Sequence, residues 1–291
     1  WAEDSVGPKV VVSIKPLYFL VSGVMEGVAE PQLLVKGGGS PHDYAIRPSE
    51  ARMLSNAELI VWVGPQLESF LAKPLATLGK NARQLELGEI LEPELLPVRE
   101  GGAWGDDHHE HHDHSEQGHL ARDPHFWLNP RLSKQAVSKA AEMLGAIDPA
   151  HREQYLLNAD HLNGRLDGLD AALEKRLDPV RNLPYMVFHD AYQYFEQAYR
   201  LNAEGSVTVS PERRPGARAL VEIREKIAAV QARCVFSEPQ FEPRLVATVI
   251  EGTGAKTGVL DPLGGGLPSE TESYFTLMND LADNLVRCLQ Q

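Results

Sequence analysis

Cysteine is scarce in this sequence, whose 291 residues include only Cys234 and Cys288. Two cysteines outside a CxxC spacing cannot build a thiolate zinc site or the dense disulfide framework of a small secreted domain. The residues alone leave two interpretations open. Either the pair forms a disulfide that ties the C-terminal helix to its domain, which requires an oxidising compartment, or both are buried free thiols.

Positive charge and long apolar runs are also in short supply. There are 28 Lys and Arg against 41 Asp and Glu, a formal net charge of −13. This balance argues against a nucleic-acid binder, which needs a basic surface to neutralise phosphates. No apolar run reaches the roughly 18 residues of a membrane-spanning helix. We expect a water-soluble acidic protein with two domains or one large one.

Several processing and catalytic signatures are absent too. The sequence starts at Trp1 without a charged-then-apolar leader, so we expect that any signal peptide has been removed. It has no GxxxxGK[ST] phosphate loop, no GxSxG elbow and no HExxH zinc motif. We predict that the protein is not an enzyme, and these absences agree with that prediction without establishing it.

What the sequence does contain is an alternation of strand and helix patterns in two separate regions. Such alternation predicts βαβ units and parallel sheets. We predict an α/β fold with two Rossmann-like lobes, an N-terminal lobe over residues 1–148 and a C-terminal lobe over residues 179–291. The predicted strands are Val10–Ile14, Gln32–Val35, Leu59–Val63, Tyr185–Phe188, Cys234–Ser237 and Thr257–Leu260.

One long helix is predicted between the lobes, over residues 149–178. It follows Asp148-Pro149, an N-cap and a first-turn proline, and ends before Asp178-Pro179. Its apolar residues recur at steps of three and four, which places them on one face of a rigid helix of about 40 Å. They are Tyr155, Ala159, Leu162, Leu166, Leu169, Leu173 and Leu177. His151 and His161 fall on its polar side, and we expect both to face solvent.

Six of the 11 histidines cluster in a polar segment at about residues 100–123, which we predict to be a mobile insertion loop. Clustered imidazoles and carboxylates bind Zn²⁺, Ni²⁺ and Cu²⁺ with little geometric demand. We predict low-affinity metal binding by this loop. The histidines are His108, His109, His111, His112, His114 and His119.

Three other histidines share a position near strand ends or loop exits. His42 follows the second predicted strand, His125 follows the polar loop, and His189 stands where a strand gives way to a helix. Ligands of open α/β sheets bind beyond the carboxyl ends of the strands, so these side chains can meet in one cleft. Three imidazoles with a water or carboxylate suit Zn²⁺. Asp261, at another strand exit, is a candidate fourth ligand or a residue behind the ligands.

Several segments together resemble the metal-binding receptors of ABC importers, and specifically the ZnuA-type periplasmic zinc receptors. The matching segments run in order along nearly the whole chain. They are Val12–Pro16, Ser40–Tyr44, Val61–Pro65, His125–Pro130, Val187–Tyr192, Phe236–Phe241 and Leu260–Gly264.

The resemblance implies two α/β lobes around one long helix, with Zn²⁺ held between them by His42, His125 and His189. Some zinc receptors have an acidic residue before the first ligand, where this chain has Pro41. The implied fourth ligand is therefore water, with Asp261 behind it or as an occasional ligand. The resemblance also implies a Cys234–Cys288 disulfide, a periplasmic location, a membrane permease as partner and a monomer.

The predicted function is high-affinity capture of Zn²⁺ in the periplasm and its delivery to an ABC transporter permease. One alternative is a receptor of the same fold for manganese or another divalent metal. Manganese receptors of this cluster replace one histidine with a carboxylate, so the histidine at position 189 favours zinc. A less favoured alternative is a zinc-dependent hydrolase, for which Asp261 is the only nominee as general base.

Overall fold

Two parallel sheets organise the part of the chain that the computed structural model describes, residues 7–36, 38–99, 121–208, 215–241 and 244–291. The first sheet contains β1 Val10–Val12, β2 Gln32–Leu33, β3 Leu59–Trp62 and β4 Arg83–Glu86, and the second contains β5 Tyr185–His189, β6 Ala203–Thr208, β7 Cys234–Ser237 and β8 Lys256–Val259. The strand orders are β2-β1-β3-β4 and β6-β5-β7-β8, with parallel pairing throughout these sheets.

Helices connect and cover the strands, which confirms the predicted α/β fold with two lobes. Within the described ranges, no helix is both long enough and apolar enough to cross a membrane. The helices are α1 Lys15–Val24, α2 Pro48–Asn56, α3 Ala72–Thr77, α4 Leu87–Ile90, α5 Pro130–Ile147, α6 Arg152–Leu177, α7 Gln193–Tyr199, α8 Ala217–Ala229, α9 Arg244–Ile250 and α10 Glu272–Leu289.

The long helix α6 is the predicted connector, and every residue of its predicted apolar face is buried. Its 26 residues span about 39 Å. It packs against α5 and α1 from the N-terminal half and against α10 from the C-terminal half, so it contacts elements that belong to both halves of the chain. Burial of one continuous stripe against both halves makes α6 a stiff element between the two sheets.

The start of α6 differs slightly from the prediction, because a 3₁₀ turn at Pro149–His151 precedes it. Asp148 Oδ2 accepts a hydrogen bond from Tyr155 Oη at 2.7 Å and lies 2.7 Å from His151 Nδ1. His151 is therefore half-buried against Asp148 rather than solvated. His161 lies on the polar side of α6 and is exposed, as expected.

Long-range hydrogen bonds hold the two lobes together near the strand ends. Lys15 Nζ, at the start of α1, donates to the carbonyl oxygens of Gly265 at 2.6 Å and Leu267 at 2.7 Å. Trp127, fully buried, donates from Nε1 to the carbonyl of Pro262 at 2.8 Å. The turn that follows β8 is thus attached to the N-terminal lobe at two points, which limits how far the lobes can separate there.

The two cysteines form the disulfide that the resemblance implied. Cys234, at the first position of β7, is bonded to Cys288 in the last turn of α10, with the two Cα atoms 6.3 Å apart. Both side chains are buried. The bond therefore fixes the C-terminal helix to a strand in the interior of the second sheet.

A buried carboxylate binds the backbone amides that directly follow β3. Glu68 is fully buried, and its Oε2 accepts hydrogen bonds from the backbone N–H groups of Val63 and Gly64, both at 2.9 Å. Burial raises the pKa of Glu68 from its ordinary value of 4.5 to about 7, although these hydrogen bonds oppose the rise. Because the charged form is disfavoured inside the fold, Glu68 stabilises the fold best when it is protonated.

Because this pKa is raised in the folded protein, the free energy of unfolding depends on pH. Since the folded value lies above the unfolded value, the contribution of Glu68 is complete below about pH 4.5 and is lost as pH rises through about 7. Glu68→Gln keeps an oxygen for both amides and removes the titration. Through this residue, wild type should therefore lose stability between pH 5 and pH 8, whereas Glu68→Gln should not. We expect the free energy of unfolding of Glu68→Gln, minus that of wild type, to rise by up to about 3 kcal/mol over this range.

Urea unfolding of both proteins at several pH values measures this difference and cancels the titration of all other groups. Glu153→Gln, in the exposed first turn of α6, is the matched control and should show no such trend. A difference between Glu68→Gln and wild type that stays constant from pH 5 to pH 8 would contradict the assignment.

Candidate metal centre

The three histidines predicted at strand ends and loop exits come from separate parts of the chain. His42 lies in the loop after β2, and its backbone N–H donates to Ser40 Oγ. His125 stands just before the 3₁₀ turn Phe126–Leu128, and His189 is the last residue of β5. His125 and His189 are 4% and 3% exposed, whereas His42 is half-buried. Two imidazoles are therefore fixed in the interior and the third is at the edge of the cleft.

The fold brings these three rings together. Their centroids lie 5.5 Å apart for His42 and His125, 5.2 Å for His42 and His189, and 5.1 Å for His125 and His189. One ring nitrogen from each lies within 4.8 Å of the others, and among the described residues this is the group able to hold a metal ion. Ligand nitrogens about 2.0–2.1 Å from a tetrahedral Zn²⁺ have separations of this order, so the cluster fits one ion.

A buried carboxylate orients His125. Asp123 Oδ1 lies 2.7 Å from His125 Nδ1 and also accepts the backbone N–H of His125 at 3.0 Å. Burial raises the pKa of Asp123 to about 7. In its ionised form Asp123 only accepts hydrogen bonds, so Nδ1 then carries the proton and the lone pair of Nε2 is left for a metal. Burial lowers the pKa of His125 well below its usual 6.5, which favours the neutral ring that metal binding requires.

His189 is paired in the same way with a carboxylate from β7. Its Nδ1 lies 3.3 Å from Oε1 of Glu238, which is 4% exposed and directly follows that strand. Burial is the largest single influence and acts to lower the pKa of His189, but Glu238, Asp190 and Asp123 together outweigh it and the pKa is raised. A proton on Nδ1, facing this carboxylate, leaves the opposite nitrogen available to the cluster.

Asp190, the residue after His189, is bound by an arginine from the other side of the cleft. Arg99 Nε lies 3.1 Å and 3.0 Å from the two carboxylate oxygens of Asp190, and its Nη2 also donates to Oδ1. Arg99 Nη1 donates to Oε2 of Glu196 at 2.8 Å. Asp190 and Glu196 are both buried, so one guanidinium binds two carboxyl groups beside the histidines.

The cluster opens into a cavity of about 300 Å³. Asp190 and Asp123 share its wall with the three histidines. On another side the rings are covered by aromatic groups, with Trp127 5.2 Å from His125 and Phe241 6.3 Å from His189, centroid to centroid. The imidazoles therefore have one open face and one packed face.

Asp261 is not part of the three-histidine group. Its carboxylate accepts hydrogen bonds from the backbone N–H groups of Leu263, Gly264 and Gly265 at 2.7–3.1 Å, and from Gln240 Nε2 at 2.7 Å. Gly264 has a φ of +63°, which this tight turn requires and glycine adopts without strain. Asp261 thus shapes the turn after β8, and its partner Gln240 lines a small cavity together with the three histidines.

The six histidines between His108 and His119 lie outside the described residues. The segments on either side are described and pair with each other: Val98 N–H donates to the carbonyl of Ala121, and Asp123 N–H donates to that of Leu96. Val98 and Ala121 both line the cavity of the three histidines. The two ends of the segment 100–120 are therefore attached at the rim of that cavity.

Sequence reasoning missed four residues that support the cluster: Asp123, Glu238, Asp190 and Arg99. Two had a signal. Asp123 stands two residues before His125. Glu238 directly follows a predicted strand, and ligands of open α/β sheets bind beyond the carboxyl ends of the strands. Arg99 had none, because its pairing with Asp190 joins positions 91 residues apart.

Two parallel-sheet lobes with an imidazole cluster between them define a two-lobed binding protein whose cleft contains a group of side chains able to hold a metal ion. Comparison with known proteins agrees. The family model described as "Zinc-uptake complex component A periplasmic", or ZnuA, matches residues 10–288. The chain therefore belongs to the ZnuA family, which is a family of receptors and not an enzyme class.

Individual relatives extend this result. The chain is 44% identical to the "High-affinity zinc uptake system protein ZnuA" of Brucella suis biovar 1, over 97% of this chain and 92% of that protein. It is 37% identical to the protein of the same name from Yersinia pestis, over 97% and 91%. A solved structure titled "Crystal structure of ZnuA" superposes with a TM-score of 0.81 at 23% identity, over 97% of this chain and 99% of that one, and supports the fold.

Proposed function

We propose that this protein captures Zn²⁺ in the periplasm and delivers it to the membrane permease of an ABC importer. The observation that carries the proposal is the cluster of three imidazoles, with one nitrogen of each within 4.8 Å of the others, in a chain of the ZnuA family. The Brucella and Yersinia relatives are named for high-affinity zinc uptake. In this role Zn²⁺ is the cargo, so the site must both bind and release it.

His42, His125 and His189 are the proposed ligands, and water is the proposed fourth. Zn²⁺ favours four nitrogen or oxygen ligands in a tetrahedron, and its imidazole ligands must be neutral. An all-imidazole group suits Zn²⁺ better than Mn²⁺, which prefers carboxylate and water oxygens. The same group also has affinity for Cu²⁺ and Ni²⁺, so tight binding of one metal in vitro does not identify the physiological cargo.

The surroundings of the cluster support a receptor rather than a hydrolase. A zinc hydrolase needs a general base within reach of the metal-bound water. Asp123 is engaged with His125, Glu238 with His189, and Asp190 with Arg99. Asp261, the residue nominated as a base from the sequence, is directed at its own turn and at Gln240. Each of these carboxylates has a positioning role instead.

We also propose the organisation that goes with this function. The lobes comprise residues 1–148 and 179–291, with residues 149–178 between them, and the protein acts as a monomer. Secretion with removal of a signal peptide accounts for a disulfide, which an oxidising compartment maintains. The histidines of the segment 100–120 act as low-affinity zinc ligands.

The test is zinc titration of a variant that lacks residues 106–119, in competition with a chromophoric chelator. We expect one tight site to remain, because the proposed ligands all lie outside the deleted segment. X-ray absorption at the zinc edge should show three imidazole nitrogens and one oxygen. Loss of tight binding in this variant, or sulfur or multiple carboxylates around the metal, would refute the proposed site.

A further inference from the structure

The wall of the histidine cavity contains a carboxylate that is next to a proposed ligand. Asp190 directly follows His189 and lines the same cavity as all three histidines, and its side chain is 4% exposed. A carboxylate in this place is a ready fourth ligand, and oxygen ligands shift the preference of a site towards Mn²⁺ and other hard cations. Something must therefore decide whether Asp190 is available to a metal.

Arg99 engages both oxygens of Asp190. Its Nε is 3.1 Å from Oδ1 and 3.0 Å from Oδ2, and its Nη2 donates to Oδ1 as well. This is the forked geometry in which a guanidinium binds a carboxylate most strongly and with a fixed orientation. An Asp190 side chain held in this way points its charge at Arg99 instead of at the centre of the cluster.

Arg99 is itself held in position from two directions. Its Nη1 donates to Glu196 on α7 at 2.8 Å, so a second buried carboxylate fixes the guanidinium. Its backbone directly follows residues 96–98, which pair with residues 121–123, the segment that leads to His125. These contacts restrain Arg99 from two sides. Its guanidinium would therefore have to give up its hydrogen bonds to Asp190 if the Asp190 side chain turned towards a metal.

We propose that Arg99 determines metal specificity by withholding Asp190 from the metal, which keeps the site at three imidazoles and favours Zn²⁺ over Mn²⁺. The inference rests on the proposed function and adds a residue to it. It assigns to Arg99 a role through Asp190, and to Asp190 a role as a ligand that is kept out of the coordination sphere.

The test compares the affinities of Arg99→Gln and wild type for Zn²⁺ and for Mn²⁺, each by competition titration. Glutamine is neutral and cannot bind both oxygens, so Asp190 is released. We expect the ratio of Zn²⁺ to Mn²⁺ affinity to fall by about tenfold or more, mainly through tighter Mn²⁺ binding. The visible absorption bands of bound Co²⁺ should shift as a carboxylate enters the ligand set.

Matched variants separate this role from a structural one. Arg181→Gln removes another arginine that serves two carboxylates, Glu174 and Asp178, outside the cavity lining, and should leave the ratio unchanged. Asp190→Asn alone should also leave it unchanged, because Asp190 is not a ligand in the wild type. Asp190→Asn combined with Arg99→Gln should restore the wild-type ratio.

Other outcomes overturn the inference. One is that Arg99→Gln binds Zn²⁺ and Mn²⁺ more weakly by the same factor, or leaves the ratio of the two affinities unchanged. Another is that the double variant has the same low ratio as Arg99→Gln. If Arg99→Gln does not fold by circular dichroism, Arg99→Lys keeps the charge without the fork and should lower the ratio by a smaller factor; an unchanged ratio there is equally decisive. A wild-type protein that binds no zinc would refute the proposed function instead.

Discussion

His189→Ala is expected to weaken zinc binding by about a hundredfold. Zinc held by four protein ligands has a binding free energy of about 10–16 kcal/mol, or about 3 kcal/mol for each ligand, and each 1.4 kcal/mol is a factor of ten. The loss should be no smaller than this, because His189 is 3% exposed and water cannot replace the imidazole in the same orientation. The substitution also leaves Glu238 buried without the ring that it faces.

Two measurements check this prediction independently. Competition titration gives the change in affinity, and thermal unfolding gives the zinc-induced rise in Tm, which should be clearly smaller, because a hundredfold larger Kd removes about 2.7 kcal/mol of zinc-induced stabilisation when zinc is in excess. His161→Ala is the matched control, since His161 is exposed on α6 and remote in sequence from the cluster. Zinc affinity in His189→Ala within threefold of wild type would exclude His189 as a ligand.

The elements of the fold that could be predicted are those with a strong local pattern. β1, β3, β5 and β7 are buried runs with β-branched residues, and α6 has a single apolar stripe. Such patterns reflect burial directly, since a strand inside a parallel sheet is covered on both faces. For the same reason the two-lobed α/β architecture followed from the sequence.

The missed elements have weak patterns for identifiable reasons. β4 and β6 lie at sheet edges, and β4, Arg-Gln-Leu-Glu, has one buried residue. Edge strands need few apolar residues, so they give no alternation to detect. Helix α5 was missed although Asn129 caps it and Pro130 opens it, because much of its buried face is alanine, serine and glycine and reads as weakly apolar.

In the candidate site, too, some residues could be predicted from the sequence and others could not. The rule for the carboxyl ends of parallel strands brought His189 into consideration, and resemblance to a family added the set of three; that they bind zinc stays a prediction. The supporting contacts follow from no local pattern. Arg99 meets Asp190 only because the segment before residue 100 crosses to the C-terminal lobe, and no spacing within the sequence indicates that crossing.

Loss of the disulfide should lower the free energy of unfolding by about 4 kcal/mol. Cys234 and Cys288 are 54 residues apart, and a closed loop of that length restricts the unfolded chain by about this amount. Cys234→Ala combined with Cys288→Ala avoids a single reactive thiol, and it adds little strain because both positions are buried and alanine is smaller. Urea unfolding without zinc measures the difference.

Zinc affinity in the same double variant should stay within about twofold of wild type. The disulfide is attached at the first residue of β7, whereas Glu238, which orients His189, follows the last residue of that strand. Pairing of β7 with β5 and β8 holds the strand between these two points. The disulfide then serves stability alone. A stability change below 1 kcal/mol would contradict the loop argument, and a tenfold loss of zinc affinity would show that the end of β7 depends on the bond at its beginning.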